Sequence, residues 1–322
     1  MTHLTLNPFQ TLAAGSTTLL PADDRYGQAA HRWDANEIDA LTFAVAAQRP
    51  LLVRGEAGCG KSQIARAASR VSESKLFCEV IHPRFEALDL LYRYDVVARL
   101  ADGQVSRIDE TNKKYVKHGA LWDAIDAVQS NSALPVLLID EIDKADSDIP
   151  NALLEVLGNR SFQVPHLKDE PSKKSVDGRL RLIVITTNEE RELPAAFVRR
   201  CAVLNLNPPR DLGAFEEWLI ERGSVHAHLD IEPAARRMAA EQVVADREAS
   251  RAAGYPTVGL AEYIDLLHAL HDLTRDARRE ARPKKQIEWL GRLSRYALVK
   301  NPEQDQNRPA VGEPTGDGVK KA

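Results

Sequence analysis

The clearest chemical pattern lies between Gly55 and Ser62, which read Gly-Glu-Ala-Gly-Cys-Gly-Lys-Ser. This is a full match to the phosphate-loop pattern, in which glycines let successive backbone N–H groups turn toward phosphate oxygens. Lys61 can reach the β- and γ-phosphates of a nucleotide, and the hydroxyl of Ser62 suits Mg²⁺. A glycine-rich turn that binds nothing is disfavoured, because the loop joins an apolar run to a helical pattern. Nucleotide binding is therefore predicted for Gly55, Glu56, Ala57, Gly58, Cys59, Gly60, Lys61 and Ser62.

Two carboxylates, Asp140 and Glu141, end a second apolar run, "PVLLIDE". In a phosphate-loop fold, an aspartate at a strand end can hold the water shell of Mg²⁺ opposite Ser62. The adjacent Glu141 can then polarise a water for attack on the γ-phosphate, which favours hydrolysis over transfer to a substrate. The alternative is a solvated turn that precedes a helix, with Asp143 or Asp146 as its N-cap.

Three polar side chains further along the chain are weaker candidates. Asn188 ends the apolar run "RLIVITTN", and an amide at a strand tip can orient the attacking water. Arg199 and Arg200 close the segment "LPAAFVRR", and an arginine at a subunit edge can reach the γ-phosphate of a neighbour. In isolation, a turn residue and a solvated arginine pair are the simpler interpretations. These residues gain weight from their order after the first two motifs.

The elements that must position these residues follow from periodicity. Short apolar runs, "PLLVRG", "LFCEVI", "PVLLIDE" and "LRLIVITTN", alternate with helical stretches and predict a parallel sheet covered on both faces. A helix is predicted across "DANEIDALTFAVAAQ", with Asp34 as its N-cap. After residue 208 the pattern is almost entirely helical. The predicted segments are an N-terminal segment 1–30, an α/β nucleotide-binding domain 31–208, a helical domain 209–300 and a disordered tail 301–322.

Composition limits the class of protein. The 322 residues leave room for two domains of about 150 residues each. A net charge of −4 disfavours a globally basic nucleic-acid binder. The cysteines Cys59, Cys78 and Cys201 are few and irregularly spaced, which indicates a reduced compartment and argues against a disulfide framework and a zinc site. Cys59 is interpreted as a small tolerated loop residue rather than a redox control. Without a leader or a long apolar run, a cytoplasmic location is expected.

In combination, the motifs resemble those of the AAA+ ATPases. The resemblance is closest to the MoxR group, with its CbbQ-, NorQ- and RavA-like members in the helix-2-insert clade. It is carried by "RPLLVRGEAGCGKS", by "LDLLYRYDVV" followed by "KHGALWDAI", and by "ELPAAFVRRC". The second of these resembles the family's insertion within its second helix. The match covers residues 30–270, and its motifs are specific in combination rather than singly.

This resemblance implies an ATPase with ATP and Mg²⁺ as cofactors and a helical lid after the α/β domain. The implied roles are ATP and Mg²⁺ contacts for Lys61 and Ser62, the Mg²⁺-associated acid for Asp140, the catalytic base for Glu141, sensor 1 for Asn188, and the arginine finger for Arg200 or Arg199. An arginine finger implies an oligomer, usually a hexameric ring in these ATPases. The resemblance also implies a partner protein to be remodelled or activated, including von Willebrand factor A-domain proteins; neither nucleic acid nor a membrane is the expected partner.

Other functions remain open at this stage. They are a nucleic-acid-associated motor or restriction-type NTPase, and a scaffold whose assembly is set by nucleotide binding. A small-molecule kinase is the least favoured, because Glu141 and Asn188 have no evident use in one. The lid stretch "GYPTVGLAEYIDLLHAL" has no arginine at its helix start, so no sensor 2 residue is predicted.

Three further stretches lie outside the ATP motifs. In 84–118, Leu91-Tyr92 replaces the family's Leu-Gly, a hairpin is predicted around Asp102-Gly103, and core packing is favoured for Tyr92 and Tyr94 over gripping a substrate. In 161–180, two short β-like pieces flank a charged loop. The basic stretch 275–285 is predicted to be a solvated helix face, because its arginines alternate with acidic residues.

Overall fold

The computed structural model describes residues 7–105, 108–109, 111–130, 135–146, 149–159, 161–162, 164–165, 167, 173–174 and 182–299. Contacts divide the chain into two compact units, Met1–Asn207 and Pro208–Ala322. The predicted tail 301–322 lies outside the described residues, as does most of 161–180. The predicted boundaries of the nucleotide-binding and helical domains stay predictions.

The strands of the first unit are β1 (Thr17–Leu20), β2 (Ala29–Arg32), β3 (Leu51–Arg54), β4 (Leu76–Val80), β5 (Tyr92–Tyr94), β6 (Val116–His118), β7 (Val136–Asp140), β8 (Ser161–Phe162), β9 (Lys173–Lys174), β10 (Leu182–Thr187) and β11 (Ala202–Asn205). Its helices are α1 (Ala35–Ala47), α2 (Lys61–Val71), α3 (Val96–Gln104), α4 (Ala120–Ser130), α5 (Ile149–Asn159) and α6 (Ala195–Val198). The second unit contains α7 (Leu212–Ser224), α8 (Pro233–Ala252), α9 (Leu260–Thr274) and α10 (Arg282–Leu298).

Five of these strands form a parallel sheet in the order β11-β3-β10-β7-β4. Side chains alternate between two cores: Leu51 and Val53 of β3 face the core shared with α1 and α2, and Leu52 faces the core shared with α4, α5 and α6. Continuous Val, Ile and Leu runs suit strands that are buried on both faces. The predicted parallel sheet flanked by helices is confirmed. Its carboxyl edge carries the ends of β3, β7 and β10, where the candidate residues follow.

The N-terminal segment packs within the first unit. β1 and β2 pair antiparallel, and Phe9, Leu20 and Trp33 are buried in the core shared with α1 and α2. The first helix begins after Asp34, as predicted, and the backbone N–H of Asp34 donates to the Glu37 carboxylate. These contacts pack the N-terminal segment against helices α1 and α2, which cover one face of the sheet.

Arg66 of α2 fastens the loop between β1 and β2. Its guanidinium donates to the carbonyls of Pro21 and Gly27 at 2.5 and 2.9 Å and lies 3.7 Å from the Asp23 carboxylate. The guanidinium also lies 5.1 Å from the centre of the Tyr26 ring. The buried guanidinium of Arg66 therefore interacts with several acceptors of the loop between β1 and β2.

The segment between β4 and α4 contains two strands and one α-helix. β5 and β6 pair antiparallel, and α3 lies between them in the chain. The predicted hairpin around Asp102-Gly103 is wrong: both residues lie in α3, whose N-cap Asp95 accepts the N–H of Ala98. A capped helix therefore forms where a turn dipeptide indicated a hairpin.

Most aromatic side chains of the segment between β4 and α4 pack against other side chains. Phe85 and Tyr115 are buried, and Tyr92 packs against two hydrophobic clusters, as predicted. Tyr94 is half-buried, and its hydroxyl donates to Asn112 at 3.1 Å. The β-like pieces predicted in 161–180 include β8 and β9, which pair antiparallel.

The second unit is all-helical in the described residues, as the sequence predicts. Its core combines apolar residues of α7, α8, α9 and α10. Residues 275–281 form turns between α9 and α10, so the predicted helix face is wrong there, although most of these charged residues are exposed. Arg247 is buried and donates to the carbonyl of Val258 at 2.8 Å, just before α9 begins.

Candidate nucleotide-binding site

The loop between β3 and α2 depends on its glycines. Gly55, Gly58 and Gly60 have φ of 154°, 74° and 98°, which residues with a side chain rarely adopt. A Cβ on Gly55 would lie 2.2 Å from the carbonyl oxygen of Leu206, so the close approach of these two backbones also requires glycine. The loop delivers the chain to the N-terminus of α2, where free N–H groups and the helix dipole favour an anion.

Lys61 lies across the base of this loop. Its Nζ donates to the carbonyls of Gly55 at 2.9 Å and Glu56 at 2.7 Å. The side chain is only 7% exposed, so the ammonium is held against the loop rather than extended into solvent. A positive charge held against a glycine-rich loop is suited to binding phosphate oxygens.

Ser62 and Asp140 meet although they lie 78 positions apart in the chain. The Ser62 hydroxyl donates to Oδ1 and Oδ2 of Asp140 at 2.8 and 3.0 Å. One residue begins α2 and the other ends β7, so the parallel sheet brings them to one edge. A hydroxyl and a carboxylate are hard oxygen donors, which is the ligand chemistry that Mg²⁺ prefers. The residues present therefore fit that ion.

Thr186 of β10 is a site residue that sequence reasoning missed. Its hydroxyl donates to Oδ1 of Asp140 and accepts the backbone N–H of Glu141 at 2.9 Å. The side chain is 1% exposed, because β10 lies between β3 and β7. The paired threonines before Asn188 in "ITTN" were the available signal.

Glu141 lies just after β7 with a left-handed backbone, φ 60° and ψ 49°. Its Oε2 is 2.6 Å from Nζ of Lys144, one turn further on. This hydrogen bond to Glu141 raises the pKa of Lys144. The ion pair thus orients the carboxylate at the edge that also carries Ser62 and Asp140.

Asp143 connects the ends of β7 and β10. It is 2% exposed, and its Oδ2 accepts the N–H groups of Asn188 at 3.1 Å and Glu190 at 3.0 Å. Its interpretation as the N-cap of the next helix is therefore wrong, because its acceptor is used by the turn after β10. The carboxylate fixes the backbone of Asn188 beside the Asp140–Glu141 segment.

Arg199 and Arg200 are not brought to the phosphate loop of their own chain. Both are exposed, and Arg200 donates to the carbonyl of Ala196 at 3.3 Å. They precede β11, which pairs in parallel with β3 through Ala202 and Leu51. The backbone of the two arginines thus precedes the amino end of β11, while the side chain of Arg199 lines a pocket together with Arg54 and Thr187, which end β3 and β10.

Cys59 is a buried member of the loop, 7% exposed and packed in the core with α2. Burial raises the pKa of its thiol and outweighs the lowering by the nearby Lys61 ammonium. A raised pKa leaves little reactive thiolate at neutral pH. This agrees with a packing residue rather than a redox control.

Comparison with protein families identifies one matching family model. Residues 50–201 match the family model described as "AAA domain (dynein-related subfamily)". These residues form an AAA domain. Together with the parallel sheet and the helical second unit, the match confirms the predicted P-loop AAA+ fold. The AAA domain contains the phosphate loop, Asp140, Glu141 and Asn188, and it ends directly after the arginine pair.

Sequence relatives include the chaperone protein ClpB of Staphylococcus epidermidis, 30% identical over 137 residues, which are 42% of this chain and 14% of that protein. Chaperone protein ClpB 1 of Nostoc sp. is 29% identical over 137 residues, which are 42% of this chain and 13% of that protein. The matched part is thus about one seventh of the length of these relatives.

Among solved structures, the Holliday junction branch migration motor RuvB of Thermotoga maritima is similar over 79% of this chain and 67% of its own, at 16% identity and a TM-score of 0.40. A score this low supports no inference about this chain. In the described residues, no helix combines the length and apolar character needed to cross a membrane.

Proposed function

We propose that this chain is a Mg²⁺-dependent AAA+ ATPase of MoxR type, which works in an oligomeric ring and remodels or activates a partner protein. The observation that carries the proposal is the pair of hydrogen bonds from the Ser62 hydroxyl to Oδ1 and Oδ2 of Asp140, at 2.8 and 3.0 Å. Lys61, the residue before Ser62, is buried. These are the groups that a phosphate-loop NTPase uses for Mg²⁺ and for the β- and γ-phosphates.

Each group at the carboxyl edge has a separate task in hydrolysis. When bound, Mg²⁺ neutralises charge on the β- and γ-phosphate oxygens. The Lys61 ammonium binds the phosphates, and the loop N–H groups orient them. The Glu141 carboxylate accepts a proton from the attacking water, while Lys144 holds its Oε2 in place. The backbone contact of Asn188 with Asp143 supports a position for its amide beside that water.

The arginine pair supports the ring. Neither Arg199 nor Arg200 has a contact with the phosphate loop of its own chain among the described hydrogen bonds, and both are exposed. Their exposure is suited to the γ-phosphate of a neighbouring subunit. A ring of six subunits is the expected assembly.

The partner is proposed to be a protein. The ClpB relatives are named chaperone proteins, which supports a protein client over nucleic acid. The net charge of −4 points in the same direction. A von Willebrand factor A-domain protein is the partner class that the MoxR resemblance implies.

ATP hydrolysis is the first test. Purified protein should release phosphate from ATP only with Mg²⁺, and Lys61→Ala and Glu141→Gln should each lower kcat at least about 100-fold. Glu141→Gln should still bind nucleotide. Lys284→Ala and Glu288→Gln, exposed changes of matched chemistry on α10, should leave the rate unchanged. Hydrolysis without Mg²⁺, or hydrolysis that survives Lys61→Ala, contradicts the proposal.

Mixing variants tests whether the site is shared between subunits. Lys61→Ala removes the phosphate-binding lysine of a subunit but leaves its arginines. Arg200→Ala removes the arginine but leaves the phosphate-binding lysine. If each is inactive alone and their mixture regains activity, the arginine acts across an interface. A mixture as inactive as its components argues against that role for Arg200, and the same test with Arg199→Ala then decides between the two residues.

Capture experiments test the partner. Glu141→Gln in ATP should form the assembled state and retain a protein client through size-exclusion chromatography. Stimulation of hydrolysis by DNA, lost steeply with salt, would instead favour a nucleic-acid motor. Assembly that depends on ATP without any turnover in the wild-type protein would favour a nucleotide-gated scaffold.

A further inference from the structure

Three histidines form a cluster in the second unit. His226 and His228 lie in the segment between α7 and α8, and His268 lies on α9. One ring nitrogen of each lies within 4.8 Å of those of the other two. The ring centre of His228 lies 5.6 Å from the ring centres of both His226 and His268. The ring centres of His226 and His268 are 6.3 Å apart.

Several nitrogens of this cluster are buried without a hydrogen-bond partner among the described residues. They are Nδ1 of His226 and both Nδ1 and Nε2 of His228. His226 as a whole is only 6% exposed. Buried polar atoms nearly always have a partner, so three unpartnered nitrogens on neighbouring rings require an explanation.

A fourth histidine shows the contrast. Nδ1 of His271, one turn beyond His268 on α9, accepts the backbone N–H of Asp230 at 3.0 Å. This is the arrangement expected of a histidine with a purely structural role, whose nitrogen is satisfied by the protein. One ring nitrogen each of His226, His228 and His268 instead lies close to those of the other two, where a shared cation can bind one nitrogen of each ring.

We propose that His226, His228 and His268 bind one Zn²⁺ ion through their ring nitrogens. Imidazole nitrogen is a preferred ligand of zinc, at Zn–N distances of about 2.0–2.1 Å. Tetrahedral geometry then places the nitrogens about 3.3 Å apart. The three atoms must therefore approach by less than about 1.5 Å, which side-chain rotation of the half-buried His228 and His268 can supply.

The charges around the cluster are compatible with a divalent cation. The carboxylates of Asp265 and Asp272 act on His268 from the same helix, and they offset the positive charge of Arg236 beside His226.

The ion would join two parts of one helical unit. It would attach the segment between α7 and α8 to α9 and leave a fourth coordination position for water. Cysteine spacing argued against a zinc site, but Cys59, Cys78 and Cys201 all lie in the first unit and take no part here. The signal in the sequence was the His-x-His spacing of 226 and 228, which needs His268 from a distant helix.

The test uses the full chain without a histidine tag, stripped with a chelator and then titrated with ZnCl₂ in a calorimeter. The wild-type protein should bind one equivalent, and zinc should raise its melting temperature. His228→Ala and His268→Ala should each weaken binding by more than about 100-fold, since changes outside the ligand set already cost about 10–100-fold. These two histidines are less buried than His226, so their removal is the milder change.

Two control variants decide the outcome. His271→Ala removes a histidine of the same helix and His82→Ala an exposed one of the first unit, and both should retain one equivalent of zinc. Co²⁺ in place of Zn²⁺ should give the visible absorption of a tetrahedral nitrogen site, absent in His228→Ala. Circular dichroism of the metal-free variants checks that they fold. Absence of stoichiometric binding by the wild type, or equal weakening by His82→Ala, overturns the proposal.

Discussion

Thr186→Val removes one hydroxyl at the carboxyl edge of the sheet. The change should lower both the free energy of unfolding of the first unit and the rate of ATP hydrolysis. The shape of the side chain is almost unchanged, and position 186 is 1% exposed. The change deletes the donor to Asp140 and leaves the N–H of Glu141 without its acceptor. Thr187→Val is the matched control, because Thr187 is equally buried and accepts the N–H of Glu189 at 2.9 Å.

The magnitudes follow from the bonds that are lost. A hydrogen bond to a charged group contributes about 1.5–3 kcal/mol, and a buried backbone N–H without an acceptor costs about 1–3 kcal/mol. Since the two losses share one hydroxyl and are not fully additive, Thr186→Val should lower the free energy of unfolding by about 3 kcal/mol. Thr187→Val should lower it by about 1 kcal/mol. The expected difference is about 2 kcal/mol.

Urea unfolding followed by tryptophan fluorescence measures this difference. The first unit contains Trp33 and Trp122, so a background with Trp218→Phe and Trp289→Phe reports that unit alone. The same proteins should show a fall in ATPase kcat of about 10–100-fold for Thr186→Val, because Asp140 and Glu141 lose their common anchor. If Thr187→Val costs as much or more in both assays, the assignment of Thr186 as that anchor is refuted.

Three other predictions follow from single contacts. Gly55→Ala should weaken nucleotide binding at least about tenfold in an equilibrium titration, because its Cβ would lie 2.2 Å from a carbonyl oxygen. Gly27→Ala is the control: it has open space around its Cβ and should bind nucleotide normally. Arg66→Ala should make the loop between β1 and β2 more mobile, because the hydrogen bonds to Pro21 and Gly27 are lost. Trypsin should then cut after Arg25 faster than in the wild type, and an equal cutting rate would contradict this. Burial raises the pKa of the Cys201 thiol to about 11 from about 9 in an exposed cysteine, so its alkylation at pH 8 should be about 100-fold slower than in urea and should rise about tenfold from pH 7 to 8. Mass spectrometry measures both rates, and a native rate equal to that in urea would be inconsistent with this burial.

Features encoded in neighbouring residues were predicted well. The phosphate loop, the parallel sheet and the start of α1 at Asp34 all depend on patterns within a few residues. The wrong predictions concern local signals that other contacts overrode. Asp102-Gly103 lies in a helix capped by Asp95, and Asp143 serves the turn after β10 instead of capping the next helix.

The sequence by itself determined the chemistry of the loop, because the three glycines and the Lys61-Ser62 pair act through adjacent backbone. The sequence also predicted Asp140 opposite Ser62, but only the tertiary structure showed that Thr186 joins them. A parallel sheet brings the ends of strands far apart in the chain to one edge, so Ser62, Asp140 and Thr186 meet there. The same dependence on long-range packing applies to the three histidines, since the His-x-His spacing of 226 and 228 indicates only two of them and His268 comes from a distant helix.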